Sequence, residues 1–375
     1  MKSIVIVIHD LRGGGAEKMM VRLANQLAAG GDAVTLLLLA QGGSNKAYLS
    51  PAVKLVELGC DRTLRAFMPL RRYLQQHQPD AILSALTHVN VISALCCFSL
   101  GISSRLSVSE RNTFSLDKNN NRSVVMRLTY ALAPWLYRWL PNPVIAVSRG
   151  VADDLITSTV VRPQDVITAP NPVINEETQQ AACQPARHRW LVERPGKVIV
   201  AVGRLSAQKG FDLLLQAFSQ LDNDCYLIIF GEGELRSALQ QQISQAGLDA
   251  RVELAGYCDN PIAEIQQADL FVLSSRFEGS PNGLVEAMSV GTPVVAFDCP
   301  HGPKEIMQNG QGTLVEYLNV NALAHAMADS LQRSHCSTLR QQIINSVQGF
   351  QASVAAAVYR KNMLVPSKHE ESLCK

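Results

Sequence analysis

The 375-residue chain is 47% apolar and 18% charged, which excludes a mainly disordered polymer. At roughly 100–200 residues per domain, its length predicts two domains. Net charge is only +2, which argues against a global polyanion binder such as a nucleic-acid protein. The charge is uneven, however: residues 1–173 carry 18 Lys/Arg against 11 Asp/Glu, net +7, and residues 174–375 carry 16 against 21, net −5. One half is therefore expected to face an anionic partner.

The N-terminal MKSIVIVIHD turns polar after eight residues, too short for a signal peptide. No run reaches the ~18–20 apolar residues of a spanning helix. The nine cysteines are odd in number and scattered, and none forms CxxC. Neither a zinc knuckle nor a disulfide framework is indicated, so a reducing, cytoplasmic compartment is expected.

Taken in chain order, Ser3–Ile8 is a continuous apolar run, as expected of a strand buried on both faces of a parallel sheet. The glycine turn Gly13-Gly14-Gly15 follows, then a helix over Glu17–Ala29 and a strand over Ala33–Ala40. That is a βαβ unit. Further strands are predicted at Ala81–Ser84, Leu106–Ser109 and Val144–Val147, the last followed by a helix over Ser148–Ile156. Ala169-Pro170-Asn171-Pro172 reads as a stiff crossing and the domain boundary, and 176–196 as a polar loop.

A second series starts at Lys197. Strands are predicted at Val198–Val202, Tyr226–Phe230, Val252–Leu254, Leu270–Leu273 and Pro293–Ala296. Helices are predicted at Phe211–Leu221, Leu235–Ala246 and Gly349–Met363, with a frayed tail from about Pro366. Both halves read as α/β and doubly wound, so the cleft between two sheets is the expected site.

Three constellations carry chemistry. The first is the glycine turn, which can bring backbone N–H groups and a helix end onto a phosphate, or be a plain tight turn. It is not GxGxxG, and the second strand ends at Ala40-Gln41 instead of an acid, which disfavours a nicotinamide cofactor. The second is Gly203-Arg204-Leu205-Ser206-Ala207-Gln208-Lys209-Gly210, just past a strand. Two cations five residues apart there can neutralise a diphosphate or simply be solvated.

The third is Phe277-Glu278-Gly279-Ser280-Pro281-Asn282-Gly283-Leu284-Val285-Glu286-Ala287-Met288. With a helix starting near Asn282, Glu278 stands in the loop and Glu286 lies one turn inside. They are then placed to meet opposite ends of one ligand, with a phosphate at the helix start. The alternative is a capping acid plus a surface acid.

The Glu278-x7-Glu286 pair in FEGSPNGLVEAM, with VAVGRLSAQKGFDLLLQAF before it, resembles the donor site of family 4 retaining glycosyltransferases of the GT-B fold. GGGAEKMMVRLANQLAAGG, AVSRGVADDL, APNPV, FGEGELRSALQ and GTPVVAFDCPHGPKEI extend the likeness in order through nearly the whole chain. HDLRGGGAEKMM and VSERN resemble the bacterial transferases of surface polysaccharide assembly, those building amylovoran and stewartan above all.

The resemblance implies two Rossmann-like domains facing across a cleft, over 1–172 and 173–350, with 351–375 a helix crossing back and a tail. It also implies roles. Arg204 and Lys209 hold the donor diphosphate, and Glu286 binds the ribose. Glu278 and the Gly279–Leu284 backbone (Ser280, Pro281, Asn282 and Gly283 included) meet the sugar and distal phosphate. Gly14 and Gly15 close over the phosphates beside Gly203, and Gly256–Asn260 flank the base. The family's histidine near the donor sugar maps to His88, although the usual HxH form is absent, with Ser84 and Leu86 in its place. Glu110 and Arg111 are candidates to meet the acceptor, or form a local ion pair.

No DxD pair stands in a metal-binding context, and Asp153-Asp154 falls in a helix, so no metal and no cofactor are expected. The nucleotide sugar enters as substrate. The family retains anomeric configuration, the departing phosphate assisting deprotonation of the acceptor.

Arg122–Pro141, RSVVMRLTYALAPWLYRWLP, places Arg127, Trp135, Tyr137, Arg138 and Trp139 around an apolar core, as suits a membrane interface. Residues 105–149 carry seven cations and two acids, and Leu64–Tyr73 adds Arg65, Arg71 and Arg72. A core helix with snorkelling arginines is the alternative. Peripheral contact with the anionic inner face of the cytoplasmic membrane fits a polyprenyl-diphosphate-linked glycan acceptor. The full expectation is transfer of a hexose, galactose by the finer resemblance, from a UDP-linked donor to that glycan. Rival readings are a sugar-nucleotide epimerase of the same fold and a non-catalytic assembly scaffold.

Overall fold

The computed structural model describes residues 1–12, 14–120, 123–308, 311–333 and 337–364. Gly13, Arg122 and the tail from Pro366 lie outside them. The chain divides into two compact units, Met1–Pro172 with Gln351–Lys375, and Val173–Phe350.

In the first unit, β1 (Ser3–Ile8), β2 (Ala33–Leu38), β3 (Lys54–Glu57), β4 (Ala81–Ala85), β5 (Leu106–Glu110), β6 (Val144–Ala146) and β7 (Val166–Thr168) form one seven-stranded sheet. Its order is β3-β2-β1-β4-β5-β6-β7, parallel at every pairing. The helices are α1 (Gly15–Ala29), α2 (Phe67–His77), α3 (Thr87–Leu100), α4 (Phe114–Asn120), α5 (Val124–Trp139) and α6 (Arg149–Ser158). The two-residue period of β1 explains its unbroken apolar run. Val5 and Val7 pack with Leu70, Ile92 and Leu136 of α2, α3 and α5. Ile4, Ile6 and Ile8 pack with Met20, Leu23 and Leu27 of α1 on the other face. The strand order reverses between β1 and β4, the position at which open sheets of this kind bind ligands.

In the second unit, β8 (Lys197–Val202), β9 (Cys225–Phe230), β10 (Val252–Gly256), β11 (Leu270–Leu273), β12 (Val294–Phe297) and β13 (Thr313–Val315) form a six-stranded parallel sheet, order β10-β9-β8-β11-β12-β13. The switch point lies between β8 and β11. The helices are α7 (Glu176–Ala182), α8 (Arg189–Glu193), α9 (Phe211–Phe218), α10 (Arg236–Gln245), α11 (Pro261–Gln267), α12 (Asn282–Ser289), α13 (Pro303–Ile306), α14 (Val320–Arg333) and α15 (Ser337–Ser346).

The last helix, α16 (Ala352–Met363), packs on α1 in the first unit. Arg360 forks onto the buried Asp32 carboxylate at 2.6 and 3.1 Å and holds that carboxyl below its ordinary range. Where the chain crosses between units, the N–H groups of Val173 and Ile174 both donate to Phe350 O, at 3.1 and 3.0 Å.

Residues 176–196 correct the expectation of a polar loop, since they contain α7 and α8. Both helices are too short to show a period. A capping box of Asn175 with Thr178 starts α7. Glu264 anchors the following turn by accepting from the N–H groups of Arg187 and His188 at 2.8 and 3.2 Å. Trp190 of α8 is buried against Tyr226. Strands β3, β7 and β13, unforeseen in the sequence, are edge strands of four, three and three residues. Asp154 lies in α6 and accepts from Ser115 N and Oγ at 2.9 and 2.5 Å, a structural bond across to α4.

Candidate active site

In the second unit, loops from the carboxyl ends of β8, β9, β11 and β12 converge. Lys209 leaves the loop after β8, and Glu278 the loop after β11. Lys209 Nζ donates to Glu278 Oε1 at 2.6 Å, and Ser275 Oγ donates to the same oxygen at 2.6 Å. Glu278 is 5% exposed, so this is a largely buried ion pair. The backbone holds it in place. Arg276 N donates to Gln208 O at 2.7 Å, Ser274 Oγ to Lys209 O at 2.9 Å, and Gln208 Nε2 to Phe277 O at 3.1 Å. Arg276 also forks onto Asp212 at 2.8 and 2.7 Å, lowering that carboxyl below its ordinary range.

Two glycines make the convergence possible. Gly210 has φ +61°, and a Cβ there would come within 2.1 Å of Ser274 O. Gly231 has φ +145°, and a Cβ would meet Gly203 O at 1.9 Å. Only glycine fits either place.

Arg204 is exposed on the same loop as Lys209. Gly279, Ser280 and Pro281 lead into α12, whose first turn holds Asn282, Gly283 and Leu284. Glu286 sits one turn inside α12 and is 9% exposed. The structure thus places Glu278 in the loop and Glu286 on the helix, with the helix start between them. Gly256, at the end of β10, accepts from Gly231 N at 2.7 Å, and Asn260 caps α11. In the first unit, Gly14 precedes the first turn of α1, begun by Gly15. The Glu17 carboxylate lies over it, so that a Cβ on Gly14 would come within 1.8 Å of Glu17 Oε2.

The carboxyl ends of β4 and β5 hold the other candidates. His88 stands in the first turn of α3, edge-on to His9 with ring centroids 5.2 Å apart. Burial first, and His9 second, lower the His88 pKa to about 4 against the pull of Asp10, so the imidazole is neutral at physiological pH. Glu110 ends β5 and is 3% exposed. It accepts from Thr87 Oγ1 at 3.0 Å, from Asn90 Nδ2 at 3.3 Å and from Tyr137 OH. Burial pushes its pKa up to about 7, against the opposing pull of those hydrogen bonds.

Arg111 points elsewhere. It donates to Tyr359 OH at 2.9 Å and to Asn171 Oδ1 at 2.5 Å. It thereby ties α16 and the Pro-rich crossing to the sheet, and does not form the ion pair with Glu110 weighed in the sequence.

Helix α5 has two faces. Val124, Leu128, Leu132, Trp135 and Trp139 recur at three- and four-residue spacing and are 70, 66, 41, 47 and 65% exposed. Arg127 and Arg138 are exposed alongside. Tyr137 corrects the interface expectation: it is 1% exposed, turned to the core by the helical period and bonded to Glu110. Leu64 and Met68 are exposed near α2, beside exposed Arg65 and Arg72. Among the described residues no helix is long and apolar enough to cross a membrane.

Sequence reasoning missed Ser275, Gln208, His9, Thr87 and Asn90. The Ser274-Ser275 doublet after an all-apolar strand was a signal for the first. Gln208 stands beside Lys209 within the second constellation, whereas His9, Thr87 and Asn90 are brought in by strand order, which no spacing encodes.

Two family models cover the chain, one on each unit. Glycosyltransferase Family 4 matches residues 13–177, and Glycosyl transferases group 1 matches residues 185–349. Over 347 residues the chain is 28% identical to the N-acetylgalactosamine-N,N'-diacetylbacillosaminyl-diphospho-undecaprenol 4-alpha-N-acetylgalactosaminyltransferase of Campylobacter jejuni, covering 88% of this chain and 91% of that one. It is 32% identical to the amylovoran biosynthesis glycosyltransferase AmsD of Erwinia amylovora, over 120 residues that cover 32% of this chain and 34% of that one. Its fold matches Anabaena HepE, solved in complex with UDP, at TM-score 0.78 and 21% identity, covering 97% and 99% of the two chains. The fold is GT-B, and the chain belongs to the GT4-type glycosyltransferases.

Proposed function

We propose that this protein transfers a hexosyl unit from a nucleotide sugar, UDP-linked, to a polyprenyl-diphosphate-linked oligosaccharide in bacterial polysaccharide assembly, with retention of configuration. The observation that carries this reading is the Lys209–Glu278 pair, closed over from two loops beside the start of α12 with Glu286 one turn in. The leaving group is a diphosphate, and stabilising the charge that develops on it is the main electrostatic task. Lys209, Arg204 and the amino end of α12 supply that field. Glu278 orients Lys209 and meets sugar hydroxyls, Glu286 takes the ribose diol, and neutral His88 serves as a hydrogen-bonding group. These cations and dipoles take the place of a metal, so EDTA should leave turnover intact.

The full-length Campylobacter relative acts, by name, on a diphospho-undecaprenol acceptor and transfers N-acetylgalactosamine. Its acceptor supports a lipid-linked glycan here, and its galacto-configured sugar supports a galactosyl unit. HepE's complex with UDP supports the uridine donor. The exposed Trp135–Trp139 face of α5 and its arginines support docking on the anionic inner leaflet of the cytoplasmic membrane.

The test is nucleotide release from a panel of UDP- and GDP-sugars, with and without a polyprenyl-linked glycan extract. Release that requires one donor and the extract supports the reading. Isomerisation of the donor without acceptor would favour the epimerase instead.

A further inference from the structure

A cavity of about 180 Å³ lies within the first unit at the carboxyl ends of β4 and β5, lined among others by Leu86, Thr87, His88, Glu110, Asp117 and Tyr130. Asn112, also in its wall, is exposed, so the cavity opens to solvent. Its volume equals that of about six waters, the size of one sugar ring.

Three features set this cavity apart from a structural void. Its wall holds two carboxyl groups, Glu110 and Asp117. Glu110 is met by neutral donors only, from Thr87, Asn90 and Tyr137. The one guanidinium in the wall, that of Arg111, is engaged by Tyr359 and Asn171. A buried carboxyl group without a cation is costly to a fold, and such groups concentrate at functional sites. The third feature is Leu86, at the turn from β4 into α3, with φ +79° and ψ 131°. A leucine with positive φ is strained, and strain of this kind clusters at ligand sites. Burial also raises the Asp117 carboxyl above its ordinary range, so both acids favour partners with hydrogens to share.

We propose that this cavity is the subsite for a neutral sugar ring of the acceptor glycan, in which Asp117 and Glu110 bind ring hydroxyls and exclude acidic sugars. Tyr130 and Leu86 offer the apolar wall that the C–H face of a pyranose requires. Tyr137 is a positioning residue: it reaches Glu110 from the inner face of α5, the helix whose outer face is the exposed stripe. Anionic ligands are disfavoured because no unengaged cation stands in the wall among the described residues. The assignment to the acceptor rests on the transferase reading, whereas the preference for neutral rings does not.

Saturation-transfer NMR with methyl hexopyranosides and the matching methyl hexopyranosiduronates tests the cavity directly. Transfer is expected to the neutral glycosides only, and its loss in Asp117→Asn. Equal transfer to both classes, or full transfer in a folded Asp117→Asn, would overturn the proposal. Steady-state kinetics then separate it from the reading it rests on. Asp117→Asn should raise the KM for lipid-linked acceptor at least ~10-fold while UDP affinity stays at the wild-type value. An unchanged acceptor KM contradicts the subsite. Sugar binding in a protein that turns over no donor contradicts the transferase reading instead.

Discussion

At the second unit's candidate site the buried Glu278 is held with a cation, and at the first unit's candidate site the buried Glu110 is held with hydroxyls and an amide. Glu278 faces Lys209 at 2.6 Å. Glu110 faces Thr87, Asn90 and Tyr137. An opposite charge offsets desolvation far better than neutral donors do, and Glu110 accordingly moves up to about 7. The difference matches the ligands each region suits. On the proposed reading, a diphosphate arriving at the second unit would compete with Glu278 for Lys209, and the ion pair would be a preorganised holder for the cation. On the same reading, a hydroxyl arriving at the first unit would meet carboxyl groups that burial holds above their ordinary range.

The largest effect expected is on the ion pair. Lys209→Ala should lower kcat/KM at least ~10²-fold, the range for losing one donor to a developing oxyanion. Wild-type turnover in this variant would break the contrast between the units, because the cation would then be structural only.

The next effect is on the backbone that brings the loops together. Gly210→Ala should destabilise the second unit by about 2–4 kcal/mol, from left-handed strain plus the overlap with Ser274 O. Urea unfolding monitored at Trp190 reads it, and an unchanged midpoint would show that the loop relaxes.

Glu110→Gln sharpens the other side. In the folded protein Glu110 titrates near 7, above its ordinary 4.5, so folding takes up a proton between those values. Its contribution to stability is full below about 4.5 and lost as pH rises through 7. The variant lacks this slope, so the stability difference between wild type and variant should change by up to about 3 kcal/mol between pH 4.5 and 8. Urea midpoints at both pH values measure it, and a constant difference contradicts the assignment.

The smallest effect on the fold concerns the outer face of α5. Trp135→Glu should release the protein from anionic liposomes with no change in unfolding midpoint, because this side chain is 47% exposed. Unchanged sedimentation with liposomes counts against membrane docking.

The two units also differ in how far they could be read in the sequence. Glu278 and Glu286 are eight positions apart on one loop and helix, and Lys209 stands beside Gly210 within a single loop. Short-range spacing preserves such chemistry in plain view. The buried strands β1, β8 and β11 were legible for a similar reason, being continuous apolar runs. The first unit's cluster joins β4, α3, β5 and α5, and its members lie up to 53 positions apart, from Ser84 to Tyr137. Only the strand order brings them together. Tyr137 shows the limit most clearly: composition placed it with Trp135 and Trp139 at an interface, while the helical period turns it to Glu110. The edge strands β3, β7 and β13 are too short to carry an alternation.

The most direct test of the account is donor turnover by purified protein with a polyprenyl-linked glycan extract, run beside Glu286→Ala and Lys209→Ala. Nucleotide release that depends on one sugar donor and on the extract, and that both variants lose, is the predicted result. No release from any UDP- or GDP-sugar, with no binding of UDP or GDP, would contradict it.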